Sequence, residues 1–371
     1  MRIIVEADSI AQDTMSGIGH ATLQMIKSLR SELKDSRHQL VIVVPFGKKS
    51  YVRQHGLDVK IRTLPPGYRY INFLLARSWL TIPAELLFGR GVYIFPNYKT
   101  WWTPFSKSIT FVHDIAYKLY PETIQPSNLR YLRANMGRWL KRTTYTVSIS
   151  RQSQRELIKS FPRFGYKSKM IYLGVDQSFF APQDQLQIDA VKTKYALPPV
   201  YFLYVGNIEP RKNLTMLLDA YETYITHSRG IVGLVLVGGN GWKNAEIIQR
   251  IGSLVAAGAP IVRPNTYVQD ADLPALYSGA NALVLVSLHE GYGLSAVQAQ
   301  SCGTPVIVSD LPVFHETLDS TAATFVSSRE ELVSAFAAHT GPERVGHTTP
   351  PQMHTWQQTA KKIIDLTGIM K

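Results

Sequence analysis

The stretch Leu288-His289-Glu290-Gly291-Tyr292-Gly293-Leu294-Ser295-Ala296-Val297-Gln298, with Cys302-Gly303-Thr304-Pro305-Val306-Ile307-Val308-Ser309 behind it, decides the fold. An apolar run from Asn281 to Ser287 precedes it and reads as a buried strand. A Gly-Tyr-Gly turn follows, then a short helix, then a second strand over Val306–Ser309. A carboxylate and two glycines therefore sit where a strand hands over to a helix N-terminus. Backbone N–H groups at such a terminus point at an anion, and the helix dipole favours one. The arrangement suits a phosphate that carries hydroxyl groups for Glu290 to bind.

The same strand-to-helix alternation runs outward in both directions. Arg2–Glu6 is a short apolar run, followed by Ser16-Gly17-Ile18-Gly19-His20 and a helix with Met25, Leu29 and Leu33 on one stripe. Further buried strands are predicted over 40–44, 91–95, 109–112, 145–149 and 170–173. A second series occupies 200–205, 232–237, 281–286 and 306–309. Continuous apolar strands separated by helices imply parallel sheets covered on both faces. Turn residues around Phe179-Phe180-Ala181-Pro182 mark a linker. The prediction is two Rossmann-like domains, residues 1–178 and 182–354. A terminal helix from 355 to 371, starting near Trp356, packs back on the first domain.

Tyr204-Val205-Gly206-Asn207-Ile208-Glu209-Pro210-Arg211-Lys212-Asn213-Leu214 is the second informative motif. A strand ends at Gly206, and Pro210 sits where a helix could begin. Arg211 and Lys212 are adjacent, so they are expected to reach in different directions from that helix start. Fixed cations aimed at developing negative charge stabilise a departing phosphate without a metal. Asp270-Ala271-Asp272 has the spacing of a metal pair, but it opens a helix and reads as capping. No metal site and no cofactor are expected.

A chain of 371 residues with 45% hydrophobic and 18% charged residues is globular and large enough for two cores. The single cysteine, Cys302, excludes a disulfide framework and reads as a small buried packing residue. The opening Met1-Arg2-Ile3-Ile4-Val5-Glu6 turns acidic too soon for a secretory leader. The most apolar segment, 71–88, is interrupted by Arg77, Pro83 and Glu85, which argues against a membrane span. A cytoplasmic location is the expectation.

Charge is unevenly distributed. Residues 1–180 hold 27 Lys and Arg against 11 Asp and Glu, whereas the whole chain carries only +13. Between Ser127 and Met170 Glu156 is the only acid among eleven basic residues, which include Arg130, Arg133, Lys141 and Arg142. Such a field attracts anionic lipid, nucleic acid or phosphorylated acceptors. No zinc pattern and no RNA-binding aromatic signature accompanies it, so no nucleic-acid partner is expected. Tyr98-Lys99-Thr100-Trp101-Trp102 is an aromatic cluster that suits stacking on a sugar, contact with lipid headgroups, or packing beneath a loop.

Taken together, the Glu290-Gly-Tyr-Gly-Leu segment and the Cys302-Gly-Thr-Pro-Val-Ile segment resemble the signature of family 4 of the nucleotide-sugar-dependent glycosyltransferases. Members carry Glu, seven residues, then a second Glu; this chain has Gln298 there. The Gly206-to-Lys212 run is similar to the family motif whose basic pair binds the donor pyrophosphate, with Asn207 where some members have Arg. The resemblance implies the GT-B fold, two domains facing a central cleft, and a metal-independent, retaining transfer. In that mechanism the acceptor attacks from the leaving-group face, and the departing phosphate takes its proton. Glu290, His113, Arg211 and Lys212 would be the catalytic residues. His113, in His113-Asp114, would meet the donor sugar. Gly17, Gly206, Asn207, Gly291, Tyr292, Gly293, Leu294 and Gln298 would bind the donor, with Val268 beside the base. Gln keeps a carbonyl acceptor for ribose hydroxyls but loses the charge, which weakens binding without removing a catalytic group.

His113-Asp114-Ile115, Tyr120-Pro121-Glu122 and the Gly206–Leu214 run look like those of bacterial mannosyltransferases of polysaccharide and O-antigen assembly. GDP-mannose is the first expectation for the donor, with UDP-linked sugars open. The acceptor would be a polyprenyl-diphosphate-linked or other glycan at the inner membrane face, where an anionic surface holds the basic half peripherally. A non-catalytic, membrane-associated nucleotide-sugar-binding subunit is the alternative from another class, motivated by Gln298 and Asn207. An epimerase of the same fold would need acid and base carboxylates that the chain does not show at matching places.

Overall fold

The computed structural model describes residues 1–12, 15–67, 82–228, 232–340 and 351–368. They form two compact units. The first comprises Met1–Ile115, Arg130–Gly174 and His354–Lys371; the second comprises Ala116–Leu129 and Val175–Met353. Besides the passage at Gly174–Val175 and the return at His354, the division sets one internal segment apart. The segment 116–129 belongs to the second unit, where Trp242 and Lys243 donate hydrogen bonds to the carbonyls of Thr123 and Glu122, each at 2.7 Å.

In the first unit seven parallel strands follow the order β3-β2-β1-β4-β5-β6-β7. They are β1 (Arg2–Glu6), β2 (Gln39–Val44), β3 (Lys60–Thr63), β4 (Val92–Phe95), β5 (Lys107–Val112), β6 (Tyr145–Ser148) and β7 (Ser168–Met170). Central strands are buried on both faces, as their continuous apolar runs require: Ile3, Ile4, Val5 and Ile94 are inaccessible to solvent. Edge strand β3, Lys-Ile-Arg-Thr, carries no such run and was not predicted. The Gly17–Glu32 helix buries Met25 and Leu29, and its C-cap residue Leu33 is buried with them, completing the predicted stripe. The Trp356–Thr367 helix starts in a capping box formed by Thr355 and Gln358. It packs against the Gly17–Glu32 helix.

The second unit repeats the plan with six parallel strands in the order β10-β9-β8-β11-β12-β13. These are β8 (Tyr201–Val205), β9 (Gly233–Val237), β10 (Ile261–Val262), β11 (Ala282–Leu285), β12 (Val306–Ser309) and β13 (Ala323–Val326). Both sheets have a Rossmann strand order, in which ligands bind beyond the carboxyl ends of the central strands.

Two surface expectations change. Lys167 is buried, not part of the basic face; it donates to the carbonyls of Thr143 (2.7 Å) and Lys141 (3.3 Å), and burial pulls its pKa down. Trp101 packs on the core, its ring stacked on Phe88 at 5.4 Å and edge-on to Phe95. Among the described residues no helix is long and apolar enough to cross a membrane; of the segment 71–88, residues 71–81 lie outside the described residues.

Candidate active site

At the end of β8 the chain turns sharply. The Gly206 N–H donates to the Val237 carbonyl, and the Tyr204 hydroxyl donates to the Asn207 carbonyl at 2.7 Å. Burial, reinforced by Glu209 and Glu290, pushes the Tyr204 hydroxyl well above its usual range, so it stays a donor. The loop after β9 lies directly beneath. A Cβ on Gly238, whose φ is +145°, would meet the Gly206 carbonyl at 2.0 Å, so only glycine lets the two backbones approach this closely. Asn207 is exposed in this turn and contributes its carbonyl to holding it.

The predicted helix start at Pro210 is instead a 3-10 turn, Pro210–Lys212. Asn213 then takes a left-handed conformation, and the α-helix begins at Leu214. This turn overturns the expectation that Arg211 and Lys212 diverge, because both side chains reach Glu290. Lys212 Nζ lies 2.6 Å from Glu290 Oε1, and Arg211 Nη1 lies 3.4 Å from Oε2. Arg211 also donates to the His289 carbonyl at 2.6 Å and to Glu209 Oε1 at 2.7 Å. Ser287 Oγ donates to Glu290 Oε1 at 2.8 Å. The Leu288 N–H bonds the Arg211 carbonyl, which ties the loop after β11 to the loop after β8.

All four charged side chains are largely withdrawn from water, with Glu209 at 3% and Arg211 at 15% exposure. Burial alone would raise the Glu290 carboxyl pKa. The adjacent Lys212 and Arg211 charges and the Lys212 and Ser287 hydrogen bonds outweigh that, bringing it from 4.5 down to about 2. Two cations thus face two carboxylates, and the cluster is formally neutral. Next to it Gly293, at φ +80°, ends the turn and opens the Leu294–Ser301 helix without a side-chain cap. A Cβ there would lie 2.4 Å from the Phe314 ring. Gly291 and Tyr292 are buried in the same turn, and Leu294 is half-buried.

The other expected donor residues of this unit make contacts of their own. Gln298 lies on the Leu294–Ser301 helix, and its Oε1 accepts from the buried Tyr277 hydroxyl at 3.3 Å. Val268 is buried, beside a half-exposed Tyr267. Asp272 sits at the N-cap of the Leu273–Ser278 helix but does not cap it. Its carboxylate accepts from Lys194 (2.7 Å) and the Tyr195 hydroxyl (2.6 Å). Cys302 is fully buried, and burial pushes its thiol up to about 12. Among the described residues no group of three or more His, Cys, Asp or Glu could hold a metal ion.

His113 and Gly17 belong to the first unit. His113 follows β5 with its ring buried, and Nε2 lies 2.6 Å from the Pro96 carbonyl. Burial lowers its pKa, against the opposing pull of Pro96 and Asp114, so the neutral ring donates to Pro96 from Nε2. Asp114 accepts from the Tyr98 hydroxyl at 3.3 Å. Gly17 is the first residue of its helix, and Ser16 caps it by accepting from the Gly19 N–H.

Four residues important to this geometry were not singled out from the sequence: Glu209, Ser287, Tyr277 and the Trp242 side chain as an anchor. Glu209 carried a signal, being a carboxylate two positions before Arg211. The others are legible only once the strands are paired.

A family profile described as Glycosyl transferases group 1 matches residues 199–340. O-antigen chain mannosyltransferase B of Escherichia coli is 30% identical over 354 residues, covering 91% of this chain and 89% of that protein. The chain belongs to the group 1 glycosyl transferases. O-antigen chain mannosyltransferase RfbU of Salmonella typhimurium is 27% identical over 257 residues, 68% of this chain and 65% of its own. In fold, this glycosyl transferase resembles Anabaena HepE, solved in complex with UDP-glucose, with a TM-score of 0.73, 16% identity and full coverage of both chains. A sucrose-phosphate synthase from Thermosynechococcus elongatus gives a TM-score of 0.68 at 16% identity, covering 100% of this chain and 99% of that one. The two parallel-sheet α/β domains are those of the GT-B class.

Proposed function

We propose that this glycosyl transferase is a family 4 enzyme that moves a mannosyl residue from GDP-mannose, with retention, to a hydroxyl of a lipid-linked or growing polysaccharide acceptor. The observation that carries the reading is the convergence of Arg211 and Lys212 on Glu290, at the carboxyl ends of β8 and β11 and beside a helix N-terminus. The names of the relatives favour mannose and O-antigen assembly.

When a donor binds, its diphosphate takes Lys212 and Arg211 from Glu290, and Glu290 turns to the sugar hydroxyls. The buried Glu209 keeps the Arg211 guanidinium oriented through that exchange. Preorganised cations in a site withdrawn from water then stabilise the charge that grows on the leaving phosphate. Gly206, Asn207 and Gly291–Leu294 supply backbone to the donor. Gln298 faces the ribose and Val268 the base. His113 meets the sugar through Nδ1, because Nε2 is committed to Pro96. Gly17, the first residue of its helix, lends backbone to the donor as well. The two cations fill the role that a metal fills elsewhere, so no cofactor is required.

The experiment is a transfer assay across GDP-, UDP-, ADP- and dTDP-linked sugars, with a thermal-shift series on the matching diphosphates. Preferential use of GDP-mannose, undiminished in EDTA, is expected. A preference for a UDP-sugar overturns the donor assignment. Activity lost in EDTA and restored by Mg²⁺ or Mn²⁺ overturns the metal-independent one. Absence of any transfer or hydrolysis favours the binding-subunit reading.

The same proposal places the enzyme in the cytoplasm, peripheral on the inner membrane face. Its support is the exposed basic surface that includes Arg130, Arg133, Lys141, Arg155, Lys159 and Arg163, together with the exposed Tyr131, Ile158 and Tyr166. Near an anionic bilayer each such charge contributes about 1 kcal/mol.

A further inference from the structure

Tyr120-Pro121-Glu122-Thr123 lies outside the charged cluster, yet it is fastened to the rest of the second unit at three points. The Trp242 indole N–H donates to the Thr123 carbonyl, and Lys243 Nζ donates to the Glu122 carbonyl, both at 2.7 Å. At its other end the Tyr120 ring packs on the His289 ring, with centroids 5.7 Å apart and a 44° tilt. The segment is also internally stiff. The Tyr120 N–H bonds the Ala116 carbonyl, and Thr123 Oγ1 bonds the Tyr120 carbonyl at 2.7 Å.

Each anchor leads directly to the charged cluster. His289 precedes Glu290, and its carbonyl receives Arg211 at 2.6 Å. Trp242 lies in the loop after β9, and that loop is laced to the Arg211 loop: Gly241 N–H bonds the Ile208 carbonyl, and Ile208 N–H bonds the Gly239 carbonyl. One short segment therefore braces the loops after β8, β9 and β11 together.

We infer that residues 120–123 form a strap, and that Tyr120 and Trp242 are positioning residues that hold Arg211 and Glu290 in register for the leaving phosphate. The strap acts through the Arg211–Lys212–Glu290 cluster and so rests on the donor-site reading proposed above. Neither residue touches the reacting atoms. Both keep the loops that carry those atoms from drifting apart, and a misplacement of about 1 Å in such a site costs on the order of 10²-fold in rate. The strap distinguishes Tyr120's ring from its hydroxyl: packing on His289 needs only the ring.

The test uses the full chain and five variants: Tyr120→Ala, Tyr120→Phe, Trp242→Ala, Trp242→Phe and Lys212→Ala. Transfer kcat and KM are measured beside calorimetric affinity for GDP and UDP, and Tm. Tyr120→Ala and Trp242→Ala are expected to lose roughly tenfold or more in kcat, with a smaller change in KM, since the lost geometry serves the transition state. Tyr120→Phe should retain parental kcat. Trp242→Phe, which keeps a ring and deletes one donor, should lose about fivefold, the equivalent of one neutral hydrogen bond. It decides the question if either Ala variant does not fold.

Unchanged kcat in the Trp242 variants and Tyr120→Ala, with Lys212→Ala impaired, overturns the strap while leaving the donor site intact. Unchanged turnover in Lys212→Ala overturns the donor-site reading itself. Equal losses in Tyr120→Phe and Tyr120→Ala overturn the assignment of packing as the strap's grip.

Discussion

His113 and Glu290 each follow a parallel strand, one in each unit, and each is buried. Burial penalises the charged form of both, and they answer it in opposite ways. His113 has a carbonyl and aromatic rings around it and gives up its charge. Glu290 has two cations and a hydroxyl within reach and keeps its charge down to about pH 2. The difference lies in partners, not depth. A strand end supplies a pocket; whether the pocket holds a neutral hydrogen-bonding group or an ion is set by the next loop over.

Removing a partner should break this contrast most severely. Lys212→Ala takes the closest cation from Glu290 and, on the proposed reading, from the donor's diphosphate. Transfer is expected to fall by ~10²–10³, the usual loss for one preorganised charge contact, with Tm little altered. Steady-state kinetics on the purified variant check it, and unimpaired turnover would remove Lys212 from the chemistry.

Acid stability should separate the two groups by pH. The Glu290 folded pKa is depressed, so its contribution is full above 4.5 and is lost as pH falls towards about 2. The shift corresponds to something on the order of 3 kcal/mol. The His113 folded pKa is also lowered, but for a base this makes protonation costly to the fold. Its stabilising effect is full above 6.5 and declines as the solution is acidified below that value. His354, brought by burial to about 4, adds to the same upper window. Urea midpoints across pH 7.5 to 5 should therefore slope less steeply in His113→Gln. An unchanged slope would show that His113 does not carry this linkage.

Gln298→Glu should sharpen the comparison by adding a carboxylate on the Leu294–Ser301 helix to the two already in the cluster. The Tyr277 hydroxyl already donates to the Gln298 oxygen at 3.3 Å. A charged acceptor there should tighten nucleoside diphosphate binding by about 1 kcal/mol. Calorimetry decides it; weaker binding would mean the pocket is tuned to the amide.

The smallest effect on chemistry should come from the first unit's surface. Replacing Arg130, Arg133, Lys141 and Arg142 by Ser should release the protein from anionic vesicles and leave nucleotide affinity unchanged. Binding of the parent should fall with salt, since screening acts over about 10 Å at 0.1 M. Sedimentation with anionic and neutral vesicles, with duplex DNA as control, is the measurement. Equal binding to both vesicles, or tighter binding to DNA, would refute the membrane face.

The sequence made the central strands legible because a strand buried on both faces must be apolar throughout, as Tyr201–Val205 and Ala282–Leu285 are. It did not reveal β3, β10 or β13. These are edge strands, or strands of two to four residues with half-buried positions, and their pattern is no different from that of a loop. Arg211, Lys212 and Glu290 were legible as chemistry, but their mutual pairing was not. It depends on a 3-10 turn and a left-handed Asn213 in place of the helix that Pro210 suggested. Lys167 shows the limit of counting charge along a chain. A lysine in a basic run looks solvated until the fold supplies two carbonyls to bury it against.

The helix over Trp356–Thr367 lies in the first unit, its Thr359 hydroxyl on the Tyr172 carbonyl and its Thr367 carbonyl taken by Lys107. It buries Trp356, Ala360, Ile363 and Ile364 there. Translation delivers this helix only after all of residues 175–353. On the ribosome, the first unit must wait for this helix until the residues of the second unit have emerged. A message truncated at residue 353 yields every residue of the second unit joined to a first unit with an open apolar seam.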